Sequence, residues 1–189
     1  MPYFTDNFDE TVVKLLEDGA VGLVPSDTVY GLSAVALNEG SVRRIYELKG
    51  RDNHKPYIIL LADFNQANQL GINPEDLSLV SRLWPAPLTF IAPAENAPEF
   101  LHRGTQSLAI RIPNNETLRE LLVLVGPLLS TSANLQGEAI AQDMSMAKLY
   151  FGDKLDFYVD AGTLSGQPST IVQAQNGQLK ILRPGAFKL

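Results

Sequence analysis

Apolar and polar positions recur with two periods along this chain, and the switches between them lay out its elements. Over residues 9–18, DETVVKLLED places Val12, Val13, Leu15 and Leu16 at helical spacing, and Gly19 follows where such a helix should stop. The run Ala20-Val21-Gly22-Leu23-Val24 then reads as a buried strand. Residues 39–49, EGSVRRIYELK, put Val42, Ile45, Tyr46 and Leu48 mostly on one helical face. PYIILLA (56–62) is apolar throughout, the pattern of a strand covered on both faces. Pro74 occupies the favoured first position of a helix over PEDLSLVSRLW. PLTFIAP (87–93) and SLAIRIP (107–113) have the length of strands, and NETLRELLVLV (115–125) is a strongly apolar helix. PLLSTSAN (127–134) is a short strand running into hydroxyls. Near the end, Asn176-Gly177 sits between two alternating runs and marks a hairpin with a type I′ turn. Strands alternating with helices, plus that hairpin, predict an α/β class: one domain over residues 1–189 with a twisted mixed sheet and flanking helices.

Composition narrows the class. Hydrophobic residues make up 45% and charged residues 19% of the 189, which suits a globular chain with a substantial core. No apolar run approaches the about 20 residues of a membrane span. The opening MPYFTDNFDET has neither a basic nor an apolar leader segment, so no secretory signal is expected. Cysteine is absent, which removes disulfides, thiolate metal sites and a thiol nucleophile and suits a cytoplasmic protein. With only two histidines, His54 and His102, a histidine-rich metal centre is not expected. The net charge of −6 argues against a generally basic nucleic-acid surface, while leaving room for a local basic groove.

Candidate chemistry gathers at polar strand ends. After the apolar run at 20–24 comes Pro25-Ser26-Asp27-Thr28; after the strand at 127 come Ser130, Thr131, Ser132 and Asn134; and Ser169 and Thr170 form a third cluster. Ligands of open α/β sheets bind at strand ends, whereas single clusters of these residues commonly serve as helix caps and turns. The segment ELKGRDNHKP (47–56) is locally basic: Arg43, Arg44, Lys49, Arg51 and Lys55 face only Glu47 and Asp52. Lys49, Gly50 and Arg51 fall where the helix ends. Cations there complement the helix dipole, or, with Gly50 turning the backbone, converge on one phosphate. Other chemistries lack support. Neither GxxxxGK[ST] nor GxGxxG occurs, no histidine-bearing motif accompanies Ser132, and no carboxylate pair suggests glycosidase chemistry. Trp84, in LWPAPLTF, reads as core or as a wedge at the start of a strand.

Taken together, VPSDTVYGL, ELKGRDNHKP, WPAPLTF, SLAIRIP, STSANLQG, PSTIV and ILRPG, in this order, resemble the YrdC family of threonylcarbamoyl-AMP synthases over roughly residues 20–185. The chain is similar to the family's short, single-domain form. The resemblance implies a twisted α/β fold with a concave, locally positive groove. It implies synthesis of threonylcarbamoyl-adenylate from L-threonine, bicarbonate and ATP with Mg2+, releasing pyrophosphate, for modification of tRNA beside the anticodon by downstream threonylcarbamoyl-transfer proteins. The family's Lys-x-Arg and Ser-x-Asn elements fall on Lys49, Arg51, Ser132 and Asn134 as catalytic residues. By the same resemblance, Thr28, Arg111 and Ser169 contact threonine, and Arg51, Lys55, Ser107, Ser132, Asn134 and Arg183 hold ATP. The carbamate of threonine would itself be the nucleophile, so no protein nucleophile is required. From spacing alone, Arg111 reads as an ordinary strand-face salt bridge. Ser26, Ala86, Gln136 and Gln167 depart from the family pattern. Two alternatives stay open at this point: a non-catalytic module binding double-stranded RNA or tRNA, and a related carbamoyl-adenylating enzyme with another substrate.

Overall fold

Short polar side chains start the long helices in the computed structural model, which describes residues 1–50 and 57–189. The Asp9 carboxylate accepts from Val12 N at 3.0 Å ahead of α1 (Glu10–Glu17). The Asn38 side chain accepts from Ser41 N at 3.1 Å ahead of α2 (Glu39–Lys49), and Asn115 from Leu118 N at 3.0 Å ahead of α5 (Glu116–Val125). Each thereby satisfies an amide that the helix itself leaves free. The other helices are α3 (Asn65–Gln69), α4 (Glu99–His102) and α6 (Met144–Phe151). Gly50 ends α2 in the left-handed conformation, φ 55°, as its place after Lys49 suggested.

Among the described residues, ten strands form one sheet. They are β1 (Tyr3–Thr5), β2 (Gly22–Pro25), β3 (Tyr30–Val35), β4 (Ile58–Leu60), β5 (Leu88–Pro93), β6 (Ser107–Arg111), β7 (Leu128–Ser132), β8 (Phe157–Val159), β9 (Thr170–Gln175) and β10 (Gln178–Arg183). Their spatial order is β1-β8-β2-β3-β7-β4-β6-β5-β9-β10. Parallel pairs (β1/β8, β2/β8, β4/β6, β5/β9) mix with antiparallel ones (β2/β3, β3/β7, β4/β7, β5/β6, β9/β10), so the mixed sheet expected from the sequence is what forms. The terminal hairpin turns at Asn176 and Gly177, both with positive φ, as a type I′ turn requires.

Alternation along the strands splits the core in two. Leu23, Ile59, Leu129, Ile110, Phe90 and Tyr158 bury on the face that carries Ile45 and Tyr46 of α2. Their sequence neighbours Val24, Leu60, Leu128, Phe157 and Val159 bury on the other face against Val12 and Leu16 of α1 and Leu118, Leu121 and Leu122 of α5. Further along β4 and β7, residues of this second parity, Ile58, Ser130 and Ser132, are only partly buried. Over residues 57–62 the apolar run is therefore covered on one face and half-covered on the other.

Residues 74–84 depart from expectation. A 3-10 helix spans Pro74–Leu77, and turns follow where an α-helix was expected. The buried Leu77 and Val80, with the partly buried Leu83, are spaced by three, which aligns them in a 3-10 geometry. The Ser81 hydroxyl donates back to Ser78 O at 3.0 Å, competing with helical bonding. Trp84 is core, its Nε1 donating to Leu88 O at 2.6 Å, and Ala86 is buried beside it.

Candidate functional site

The second sheet face curls into a concave wall. Between β2 and β6 in the sheet lie β3, β7 and β4, yet Asp27, in the turn after β2, reaches Arg111, at the end of β6, at 3.2 Å. The curl encloses a cavity of about 320 Å3. Its described lining comes from strands and their flanking segments and contains no helical residue. Ile58, Ile91, Ala109 and Ile171 supply an apolar floor. Hydroxyls from three separate segments stand around it: Ser26 and Thr28; Ser130, Thr131 and Ser132; and Ser169. Arg111 and Arg183 line it too, and no carboxylate does so among the described residues. An apolar floor with a few convergent polar groups is the usual form of a small-ligand site.

The Ser26–Val29 turn is held by its own hydroxyls. Ser26 Oγ donates to Val29 O at 2.7 Å, accepts from Thr28 N at 3.2 Å and lies 3.0 Å from Thr28 Oγ1. Turn-making and cavity-lining, the two readings of this cluster, therefore coincide. Opposite, Thr89 Oγ1 and Ser169 Oγ lie 2.8 Å apart, and Arg183 donates to Ser169 O at 2.7 Å. Arg111 is buried, 4% exposed. Burial pushes its pKa down, the Asp27 carboxylate opposes that, and Arg183 adds to it, so the two guanidinium groups feel each other across the cavity. Arginine remains charged despite such a shift.

Lys49 closes another part of the wall. It is 4% exposed, and its Nζ donates to Ser132 O at 2.7 Å, Asn134 O at 2.6 Å and Asn134 Oδ1 at 2.7 Å. Ser132 Oγ donates to the same Asn134 Oδ1 at 2.8 Å, and Asn134 Nδ2 donates to Glu138 O at 2.9 Å. The Lys49 ammonium is thus tied to the Ser-x-Asn segment, directly behind the cavity-lining Ser132. Ser107, at the outer end of β6, is half-exposed and hydrogen-bonds Thr105 Oγ1 at 3.3 Å; it does not line the cavity. Arg51 and Lys55 lie outside the described residues. Of the candidates read from the sequence, the fold brings Thr28, Arg111, Ser132, Ser169 and Arg183 around one cavity and sets Lys49 and Asn134 behind it.

The Sua5/YciO/YrdC family model, described as "Telomere recombination", matches residues 14–185. The chain belongs to the Sua5/YciO/YrdC family. Among Sua5/YciO/YrdC proteins, the threonylcarbamoyl-AMP synthase of Pyrococcus abyssi is 35% identical over 92% of this chain and 53% of its own length. That of Pseudomonas aeruginosa is 33% identical over 93% of this chain and 96% of its own length. The chain thus spans about half of the first relative and nearly all of the second. The crystal structure of Pyrococcus abyssi Sua5 complexed with L-threonine superposes with a TM-score of 0.85 at 31% identity, covering 98% of this chain and 57% of that one. The fold and family expected from the motifs are both borne out.

Sequence reading placed Asp27 and Ser130 in the polar strand-end clusters without giving either a role, and missed Tyr57 and the apolar floor. Strand parity carries the signal for Ser130, which is two residues from Ser132. For Asp27 no signal fixes the role: a carboxylate in a Ser-Asp-Thr turn has the same pattern whether it caps a turn or reaches across a sheet.

Proposed function

We propose that this chain is a transferase of the nucleotidyl-transferring kind, forming threonylcarbamoyl-adenylate from L-threonine, bicarbonate and ATP. The observation that carries the reading is the acid-free cavity among the described residues where Thr28, Arg111, Ser169 and Arg183 meet. Relatives named threonylcarbamoyl-AMP synthase lend it weight.

Threonine presents a carboxylate, a hydroxyl and an amine. Arg111 and Arg183 would match the carboxylate by charge and planar hydrogen bonding, and Thr28 and Ser169 would match the small polar groups. The threonine amine combines with bicarbonate, losing water, to give a carbamate. A carbamate oxygen then attacks the α-phosphorus of ATP, the bond to the β-phosphate oxygen breaks, and pyrophosphate leaves. Both reactants are anions, so their approach is the electrostatic problem. Lys49, held at Ser132 and Asn134, together with Arg51, Lys55 and Arg183, would screen it and stabilise charge gathering on phosphate. Ser107, Ser132 and Asn134 would contact the nucleotide. Among the described residues no group of three His, Asp or Glu side chains could hold a metal ion, so Mg2+ enters this reading with the polyphosphate of ATP. The product would pass to proteins that modify tRNA beside the anticodon, in the cytoplasm.

Mass spectrometry of protein incubated with ATP, Mg2+, bicarbonate and either threonine or serine, alongside pyrophosphate release, tests the reading. A threonylcarbamoyl-adenylate mass requiring both threonine and bicarbonate is expected. Serine is a weaker substrate by about 10- to 200-fold if a pocket reads only the missing methyl. Folded protein that yields neither adenylate nor pyrophosphate would overturn it.

A further inference from the structure

The reaction proposed above gives Asp27 no task, and a buried carboxylate is costly unless it is paired. Its side chain is 3% exposed and that of Arg111 5%. Asp27 Oδ2 accepts from Asn114 N at 2.9 Å, which fixes the carboxylate from the segment that follows β6. Asp27 Oδ1 lies 3.2 Å from an amino nitrogen of Arg111, an ion pair without hydrogen-bond alignment, and Oδ1 has no hydrogen-bond partner among the described residues. Arg111 Nε, also buried, has no hydrogen-bond partner among the described residues. Buried guanidinium donors are rarely left so, and one beside a cavity marks a place for a ligand acceptor.

We infer that Asp27 is a positioning residue that holds Arg111 by one amino group, beside the like-charged Arg183, so that the remaining guanidinium edge is ready for the carboxylate of the amino-acid substrate. The inference rests on the proposed function only in naming threonine. Charge decides its sign. Two guanidinium groups line one small cavity, and without a carboxylate at Arg111 the free protein would let them separate. A ligand carboxylate would then have to draw them back together, and that reorganisation weakens binding. With Asp27 in place the arrangement is already made, and the three side chains carry one net positive charge, complementary to a monoanionic carboxylate.

A thermodynamic cycle tests this: wild type, D27N, R111Q and D27N/R111Q, each titrated calorimetrically with L-threonine and with L-threoninol, which lacks the carboxylate. D27N should weaken threonine about tenfold or more, the scale of losing one partner of a buried ion pair, and should narrow the preference for threonine over threoninol. In the R111Q background, D27N should change threonine affinity by less than about twofold, because it acts through Arg111. Wild-type affinity in D27N, or an equal loss in both backgrounds, overturns the positioning role and leaves the proposed function standing. Absence of threonine binding by the wild type overturns both. Should D27N alone not fold, R111Q and D27N/R111Q carry the test, since the double variant removes both buried charges. Equal affinities support the role, and a further loss on adding D27N rejects it.

Discussion

A lysine buried to 4% exposure needs partners for its charge, and Lys49 finds them in three oxygens of the Ser132–Asn134 segment. That bonding makes it both a brace and a local positive charge behind the cavity wall. Lys49→Ala removes both functions and leaves two carbonyl groups short of a donor, costing about 1–3 kcal/mol of stability. Lys49→Met keeps the packing of the aliphatic stem while removing the charge and its bonds, so it separates packing from the polar roles. Under the proposed reaction, both variants lose kcat by a factor of hundreds, the scale of removing one preorganised charge stabiliser. Steady-state kinetics of Lys49→Met decides the matter, since a near-wild-type kcat would reduce Lys49 to a purely structural part. At this scale the sequence was legible through the family resemblance. That resemblance named Ser-x-Asn and Lys-x-Arg, but not that the lysine bonds the asparagine, because 83 and 85 residues separate Lys49 from Ser132 and Asn134 in the chain.

Elements show the same division. Helices α1, α2 and α5 were legible because each combines a capping Asp or Asn with a wide apolar stripe, and α2 was bounded to the residue. Strands β1 and β8, of three residues each, are too short for a period to register. The segment 160–169, between β8 and β9, carries no regular structure, yet it completes the cavity by passing against the Ser26–Val29 turn. Gly166 makes that passage fit: a Cβ there would meet the backbone oxygen of Thr28 at 2.4 Å. Backbone cannot swing aside as a side-chain tip can, so Gly166→Ala must displace either the turn carrying Thr28 or the segment leading to Ser169. Under the proposed reaction the threonine KM should rise at least several-fold, with thermal stability falling as overpacking costs about 1–3 kcal/mol. Unchanged KM and unchanged melting temperature in Gly166→Ala would show that the close approach has slack. The equivalent change at Gly137, where an added methyl would meet nothing within 4 Å, is the control, although its φ of +85° adds local strain.

On the scale of the whole molecule, β8 joins β1 to the rest of the sheet, and two buried tyrosines clamp the chain on either side of it. Tyr158 donates to Gly152 O at 2.6 Å, before β8. Tyr30, the first residue of β3, donates to Gly162 O at 2.8 Å and accepts from Ala161 N at 2.7 Å, after β8. Burial raises the pKa of both hydroxyls, that of Tyr158 up to about 12, with the negative charge of Asp153 adding to it. A phenol whose pKa is higher folded than unfolded stabilises the fold fully below the unfolded value, near 10, and loses that contribution as pH climbs through the folded value. Stability to urea should therefore hold up to about pH 10 as far as these groups are concerned, then fall between about pH 10 and 12 by at most about 1.4 kcal/mol per pH unit for Tyr158, with Tyr30 adding to the fall in the same direction. Tyr158→Phe costs about 0.5–1.5 kcal/mol at neutral pH through its lost hydrogen bond and makes the alkaline fall shallower, because one of the two protons is gone. Urea midpoints across that pH range, compared between wild type and Tyr158→Phe, give the answer. Parallel curves would mean that Tyr158 ionises without opening the clamp. Because Tyr30 directly follows the turn that carries Thr28, the same loosening reaches the cavity, so loss of threonine binding should track the loss of stability rather than precede it.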